Sequence, residues 1–104
     1  PWLVALKDDE LIGFMGLEPL KNGIKISSMW VHSEYRRQGI CSELIMRATN
    51  LADADKKYLS ITARAFMQEE LEKYGFQITS KRSEKWINLR RDKVEKNIQG
   101  RNSL

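Results

Sequence analysis

Apolar and polar positions alternate along the first third of the chain, and the period then changes. Trp2 to Lys7 is a short apolar run ended by the acidic turn Asp8-Asp9-Glu10, and Leu11 to Leu17 follows as a second run. Strand, turn, strand predicts a hairpin. Pro19 closes the second strand, because it cannot donate to a ladder. Asn22-Gly23 is the strongest turn signal in the chain, since both residues tolerate positive φ. It launches a third strand, Ile24 to Val31, in which Ile24, Ile26, Ser28 and Trp30 are expected to share one face. Three strands joined by short turns make an antiparallel meander.

From Ile40 the apolar positions recur at three- and four-residue spacing: Ile40, Leu44, Ile45, Ala48, Leu51 and Ala52. That spacing predicts an amphipathic helix packed by one face, with Lys56 and Lys57 at its C-terminal end, where the helix dipole favours cations. Tyr58 to Ala63 has the residue bias of a strand. Met67, Leu71 and Tyr74 form a shorter helical stripe stopped by Gly75 in the C′ position. Phe76 to Ser80 and Lys85 to Arg90 make a final strand pair around a polar turn. The order β-β-β-α-β-α-β-β requires the third and fourth strands to run parallel. The fold class is therefore mixed α+β: a mostly antiparallel, twisted sheet with one parallel pair and helices packed on it. Residues 1–90 make the domain, and the stretch from Arg91 to Leu104 is expected to be a frayed or loosely helical basic tail.

Composition narrows the function classes. A chain of 104 residues with 41% hydrophobic and 31% charged residues supports one modest core. The Leu11–Leu17 run is far shorter than the roughly 20 residues of a membrane-spanning helix. No charged-then-apolar leader marks the chain for secretion, and a single cysteine, Cys41, fits a reducing, cytoplasmic setting. One histidine and one cysteine do not make the usual zinc ligand set, so no metal is expected. The net charge of +4 favours an anionic ligand but is too mild to mark a nucleic-acid binder. The cations from Lys81 to Arg101 read as a solvated edge and tail, with no interleaved exposed aromatic beyond Trp86. Trp30 and Trp86 lie on strands and read either as core aromatics, the usual case, or as a border of the ligand's reacting end.

Candidate chemistry concentrates in Val31-His32-Ser33-Glu34-Tyr35-Arg36-Arg37-Gln38-Gly39-Ile40-Cys41-Ser42, which runs from a strand end into a helix start. The first helical turn leaves backbone N–H groups unpaired and carries partial positive charge. A glycine lets a phosphate approach the backbone, and arginines add charge-assisted contacts. Two readings fit the loop alone: a phosphate or pyrophosphate cradle, or an ordinary connection with solvent-facing arginines.

The segment resembles the acyl-CoA pyrophosphate loop of the GNAT N-acetyltransferase superfamily: Arg or Gln, two residues, Gly, one residue, then Gly or Ala. Here Arg36, Gly39 and Cys41 take those places, with Val31 and Tyr35 ahead of them. Leu71-Glu72-Lys73-Tyr74-Gly75-Phe76 resembles the family's second signature, a short helix ending in Gly-Phe. The resemblance implies an acyl-CoA N-acyltransferase-like fold and acetyl-CoA as co-substrate. It implies that Arg36, Arg37, Gln38, Gly39, Ile40, Cys41 and Ser42 hold the pyrophosphate. It also implies that Met29, Trp30 and Val31 hold the pantetheine arm and thioester through strand backbone groups. An amine acceptor, a protein lysine or N-terminus or a small amine, would attack the thioester directly.

Four positions depart from the family pattern. Cys41 replaces Gly or Ala; it reads either as a small filler or as a thiol activated by the helix N-terminus. The family's general-acid tyrosine position holds Leu71, leaving Tyr74, about 60° away around the helix, as the substitute or as a core aromatic. The strand position that often carries a general-base carboxylate, six residues before Val31, holds Lys25. His32, Glu34 or Glu18 would then relay the proton, and His32 has a suitable ordinary pKa. Arg64 replaces a common asparagine after the parallel strand, either to contact a phosphate or to face water. Relative to the family, the chain as given starts at the second strand, without the first strand and helical pair. The acceptor side is then open, or completed by a second copy in a homodimer. The leading expectation is an acetyl-CoA-dependent N-acetyltransferase, and the alternative is a CoA-binding or protein-interaction module that has lost turnover.

Overall fold

Alternation in the first third builds β1 (Trp2–Lys7), β2 (Glu10–Pro19) and β3 (Gly23–Val31) as an antiparallel meander. The computed structural model describes residues 1–94, so most of the expected basic tail, with Lys96 and Arg101, lies outside the described residues. Asp8 and Asp9 form the two-residue β1–β2 turn with φ of 51° and 68°, the left-handed conformation such tight turns need. A 3₁₀ turn (Ser33–Tyr35) leads to α1 (Ile40–Ala54), followed by β4 (Tyr58–Arg64). A second 3₁₀ turn (Ala65–Met67) runs into α2 (Gln68–Glu72), then β5 (Gln77–Lys81) and β6 (Trp86–Arg91). The six strands form one sheet in the order β1-β2-β3-β4-β6-β5, parallel only between β3 and β4. No helix among the described residues is long and apolar enough to cross a membrane.

Both helices bury against one face of this sheet. Leu44, Ile45, Ala48 and Ala52 of α1 and Leu71 of α2 share a core with Met15, Leu17, Leu59, Ile61, Ile87 and Leu89. Gly75 ends α2 with φ +96°, and Phe76 N–H donates back to the Leu71 carbonyl at 3.3 Å, which fixes Phe76 in that core. The alternate residues Ser60, Thr62, Asn88 and Arg90 point to the other face, which no described helix covers.

Three expectations are corrected. Ile24 and Ile26 do not share a face with Ser28 and Trp30. The β2–β3 register slips between Gly16↔Ser28 and Leu17↔Ile26, so Ser27 is an extra residue in β3. One inserted residue inverts the alternation, and Met29 and Val31 take the core side while Trp30 faces out, 36% exposed. Neither Asn22 nor Gly23 has positive φ, although the turn is there, closed by Leu20 N–H to the Gly23 carbonyl at 2.8 Å. Gly23 is required by the Tyr58 ring, which lies where its β-carbon would be. Arg91 is the last residue of β6 rather than the start of a frayed tail. Its guanidinium donates to both Asp53 carboxylate oxygens, at 2.6 and 3.0 Å, and to the Tyr74 carbonyl at 2.8 Å.

Trp30 and Trp86, expected in the core as strand aromatics, are instead exposed, as are Trp2 and Phe66, and Trp30 stacks on Phe14 with centroids 5.6 Å apart. On a sheet face without a covering layer, strand aromatics have no core to enter.

Candidate functional site: a split between parallel strands

β3 and β4 are hydrogen-bonded over only four register pairs, from Gly23↔Tyr58 to Ile26↔Ile61, and then diverge. The divergence begins at the Ser27 bulge. From there to Val31 the edge of β3 facing β4 has no strand to pair with, so its N–H and C=O groups are offered to whatever enters the gap. A cleft of about 350 Å³ occupies the V between Ser27, Ser28 and Met29 on one side and Thr62, Ala63 and Arg64 on the other. A larger one, about 730 Å³, continues it toward the start of α1 and is lined by Met29, Trp30, Val31, Arg36, Arg37, Gly39, Cys41 and Ser42, with Arg64, Phe66 and Met67 opposite. Met29, Arg64 and Met67 line both, so the two form one path.

The far end of that path is the helix start. Gly39 caps α1 with φ +86°, and Arg37 has φ +65°. Two left-handed residues so close together turn the chain sharply enough to aim the loop and the first helical turn at the same space. Glu43 N–H donates to the Gly39 carbonyl at 2.9 Å as the first helical bond, so the N–H groups of Ile40, Cys41 and Ser42 have no acceptor within the helix. Arg36 Nε donates to the Val31 carbonyl at 3.0 Å, and Gln38 Nε2 donates to the Glu34 carbonyl at 3.3 Å. These bonds brace the loop against the strand end. Arg64 lies across the gap with its guanidinium over Phe66 (5.8 Å) and Trp86 (5.3 Å). Such stacking orients the charge without neutralising it.

Cys41 is half-buried, with its thiol 3.7 Å from the Met29 sulfur. Burial pushes the thiol pKa up, and the Glu70 carboxylate pushes it further the same way. Of the two readings of Cys41, that direction favours the small filler over the activated thiol.

The acid–base candidates lie elsewhere. His32 Nδ1 accepts the Glu34 N–H at 3.1 Å, and its ring stands edge-on between Trp30 and Tyr35. Neither His32 nor Glu34 lines the cleft. Tyr74 packs at the margin of the core, beside the fully buried Leu71, and does not line it either. Lys25 is on the open face, with Glu18 as its cross-strand partner on β2. Among the described residues, no carboxylate, histidine or tyrosine lines the two connected cavities, and no three His, Cys, Asp or Glu side chains gather as for a metal ion.

Reading the sequence missed Ser27, Thr62, Phe66 and Met67. Ser27 carries no local signal, because a bulge is a property of two strands in register. Phe66, 79% exposed, was detectable as an aromatic directly after a strand end.

The family model described as "Acetyltransferase (GNAT) family" matches residues 1–76. No protein of curated function matches the sequence. Among solved structures, an acyl-CoA N-acyltransferase from Pseudomonas aeruginosa superposes with TM-score 0.78 at 23% identity, over 86% of this chain and 66% of that one. ElaA of Escherichia coli gives 0.78 at 16% identity, over 88% and 67%. The PaiA N-acetyltransferase of Thermoplasma acidophilum, solved with coenzyme A, gives 0.74 at 18% identity, over 88% and 59%. At these identities the likeness is one of fold, and the chain spans just under two thirds of the first of these proteins.

Proposed function

The chain belongs to the GNAT acetyltransferase family, and on that premise we propose that it binds acetyl-CoA and transfers the acetyl group to an amine. The observation that carries this reading is the alignment of the β3–β4 split with the start of α1 along one continuous cleft. The N–H groups of Ile40, Cys41 and Ser42, with Arg36, Arg37, Gln38 and Gly39, are assigned to the pyrophosphate. Arg64 reaches it from the opposite wall. The free edge of β3 at Met29, Trp30 and Val31 is assigned to the pantetheine arm, which it binds as an added strand would be bound.

With the cofactor so placed, the thioester lies in the V near the Ser27 bulge. A free backbone N–H on the β3 edge stabilises the negative charge that develops on the carbonyl oxygen. The amine nitrogen forms a bond to the carbonyl carbon, the C–S bond breaks, and CoA leaves as a thiolate that takes up a proton. With no carboxylate, histidine or tyrosine among the described residues at the V, protons pass to and from water through the open sheet face. His32, Glu34 and Tyr74 would take part only through intervening water. The same open face is where a second copy, in a homodimer, would complete the acceptor side.

A second reading, a CoA-binding module without turnover, rests on that same lack of a carboxylate, histidine or tyrosine in the cleft among the described residues. Calorimetric titration with acetyl-CoA, CoA and inorganic pyrophosphate tests the cleft, and release of CoA thiol with an amine panel separates the readings. Micromolar binding with turnover supports the enzyme. Binding without turnover selects the module, and no binding overturns both.

A further inference from the structure

The sheet register places two cations in one row on the uncovered face. Lys25 of β3 pairs with Ser60 of β4, and Ser60 pairs with Arg90 of β6. Adjacent strands are about 4.8 Å apart, so the two cationic positions stand roughly 10 Å apart with a hydroxyl between them. The cavity over this row, about 440 Å³, also takes in Arg82 from the β5–β6 turn, and none of its lining residues is a carboxylate. It shares Ile61 and Thr62 with the cleft in the V, so the row and the proposed reaction centre open into each other.

Arg90 is held in place, and all three cations are at most weakly neutralised. The Arg90 guanidinium lies over the Tyr58 ring at 4.0 Å. Its one ion pair among the described residues is with Asp92 at 3.3 Å, an 81%-exposed side chain, and such surface pairs contribute little. Lys25 and Arg82 have no ion pair among the described residues, even though Glu18 stands opposite Lys25. Thr62 donates to Asn88 Oδ1 at 2.7 Å and Asn88 donates to Ser80 at 2.8 Å, which leaves the Ser60 hydroxyl as the side-chain donor between the charges. An open depression lined by three cations and no carboxylate concentrates anions.

We infer that this pocket holds an anionic group of the acceptor, so that the favoured substrates are amines carrying a carboxylate or phosphate roughly 7 Å from the reacting nitrogen. That spacing is the two-residue step along β4 from Thr62, where the strands part, to Ser60. The inference rests on the acyltransferase reading and specifies its substrate class.

Matched amines test it with the 104-residue chain: Gly-Asp amide against Gly-Asn amide, and 3-aminopropyl phosphate against 3-aminopropanol. The expected result is at least a tenfold advantage in kcat/KM for the anionic member of a pair. That advantage collapses toward unity in a Lys25→Gln, Arg90→Gln variant whose acetyl-CoA affinity, by calorimetry, is unchanged. The pair with the larger ratio tells carboxylate from phosphate. Equal rates within both pairs overturn the inference while leaving the acyltransferase reading intact. If no amine turns over, that reading fails, and ¹⁵N NMR titration with Gly-Asp amide and 3-aminopropyl phosphate decides the pocket alone. Shifts at Ser60, Thr62 and Arg90 that the neutral partners do not produce support it; no shifts overturn it.

Discussion

The ring of Tyr58 lies flat over the α-carbon of Gly23, across the first register pair of the parallel β3–β4 ladder. The contact closes the paired end of the two strands whose other end opens into the cleft, and the missing side chain at Gly23 is what admits the ring.

Gly23→Ala should therefore destabilise the fold by about 1 to 3 kcal/mol, the usual cost of forcing volume into a packed contact. Thermal unfolding should show a loss of several degrees. In a Tyr58→Ser background the same substitution should cost much less, and an equal cost in both backgrounds would refute the contact as the cause.

Arg91 and Asp53 tie the end of β6 to the last turn of α1, with the two side chains 19% and 34% exposed. A two-point, partly buried pair of this kind contributes roughly 1 to 2 kcal/mol. Asp53→Asn and Arg91→Met should each lower the denaturation midpoint. The double variant should lose less than the sum of the two. Strict additivity would show that the pair contributes nothing jointly.

The Gly39 position has room for a β-carbon, with no heavy atom within 4 Å, but its φ of +86° does not suit one. Gly39→Ala should cost about 1 to 2 kcal/mol in stability. CoA affinity should fall at least tenfold, because the N–H groups of the first turn lose their aim. Pyrophosphate binding should fall in parallel; unchanged affinity for both would remove the loop from the site.

Cys41 should alkylate more slowly at neutral pH than a free thiol, since the thiolate is the reacting form and burial with Glu70 nearby holds its pKa up. The alkylation rate should keep rising at pH values where free cysteine has levelled off. Glu70→Gln should move the profile part of the way back, and saturating CoA should slow the reaction further. For stability the sign is fixed: the raised folded pKa keeps its contribution whole below the unfolded value of about 8.5. It is lost as pH rises from there through the folded value. A profile matching free cysteine would contradict the burial.

Several features were legible in the residue pattern because they are local. The order of elements along the chain, the helix starting at Ile40 and the stop at Gly75 each follow from periodicity or capping within a few residues. The parallel β3–β4 pair followed as well, since a strand–helix–strand step leaves little choice.

Relations between strands decided the rest. That Ser27 bulges, that the ladder stops at Ile26↔Ile61, and that Trp30 turns outward all depend on register, which one strand's alternation cannot report. Gly23 looked like a turn glycine and is instead a packing glycine, because its partner Tyr58 lies 35 positions away in the chain. Cys41 at a helix N-terminus read as either a small filler or an activated thiol, and its burial beside Met29, with Glu70 near, favours the filler. The cationic row of Lys25 and Arg90 exists only once β3, β4 and β6 lie side by side. A sequence records each charge, and only the folded sheet sets the distance between them.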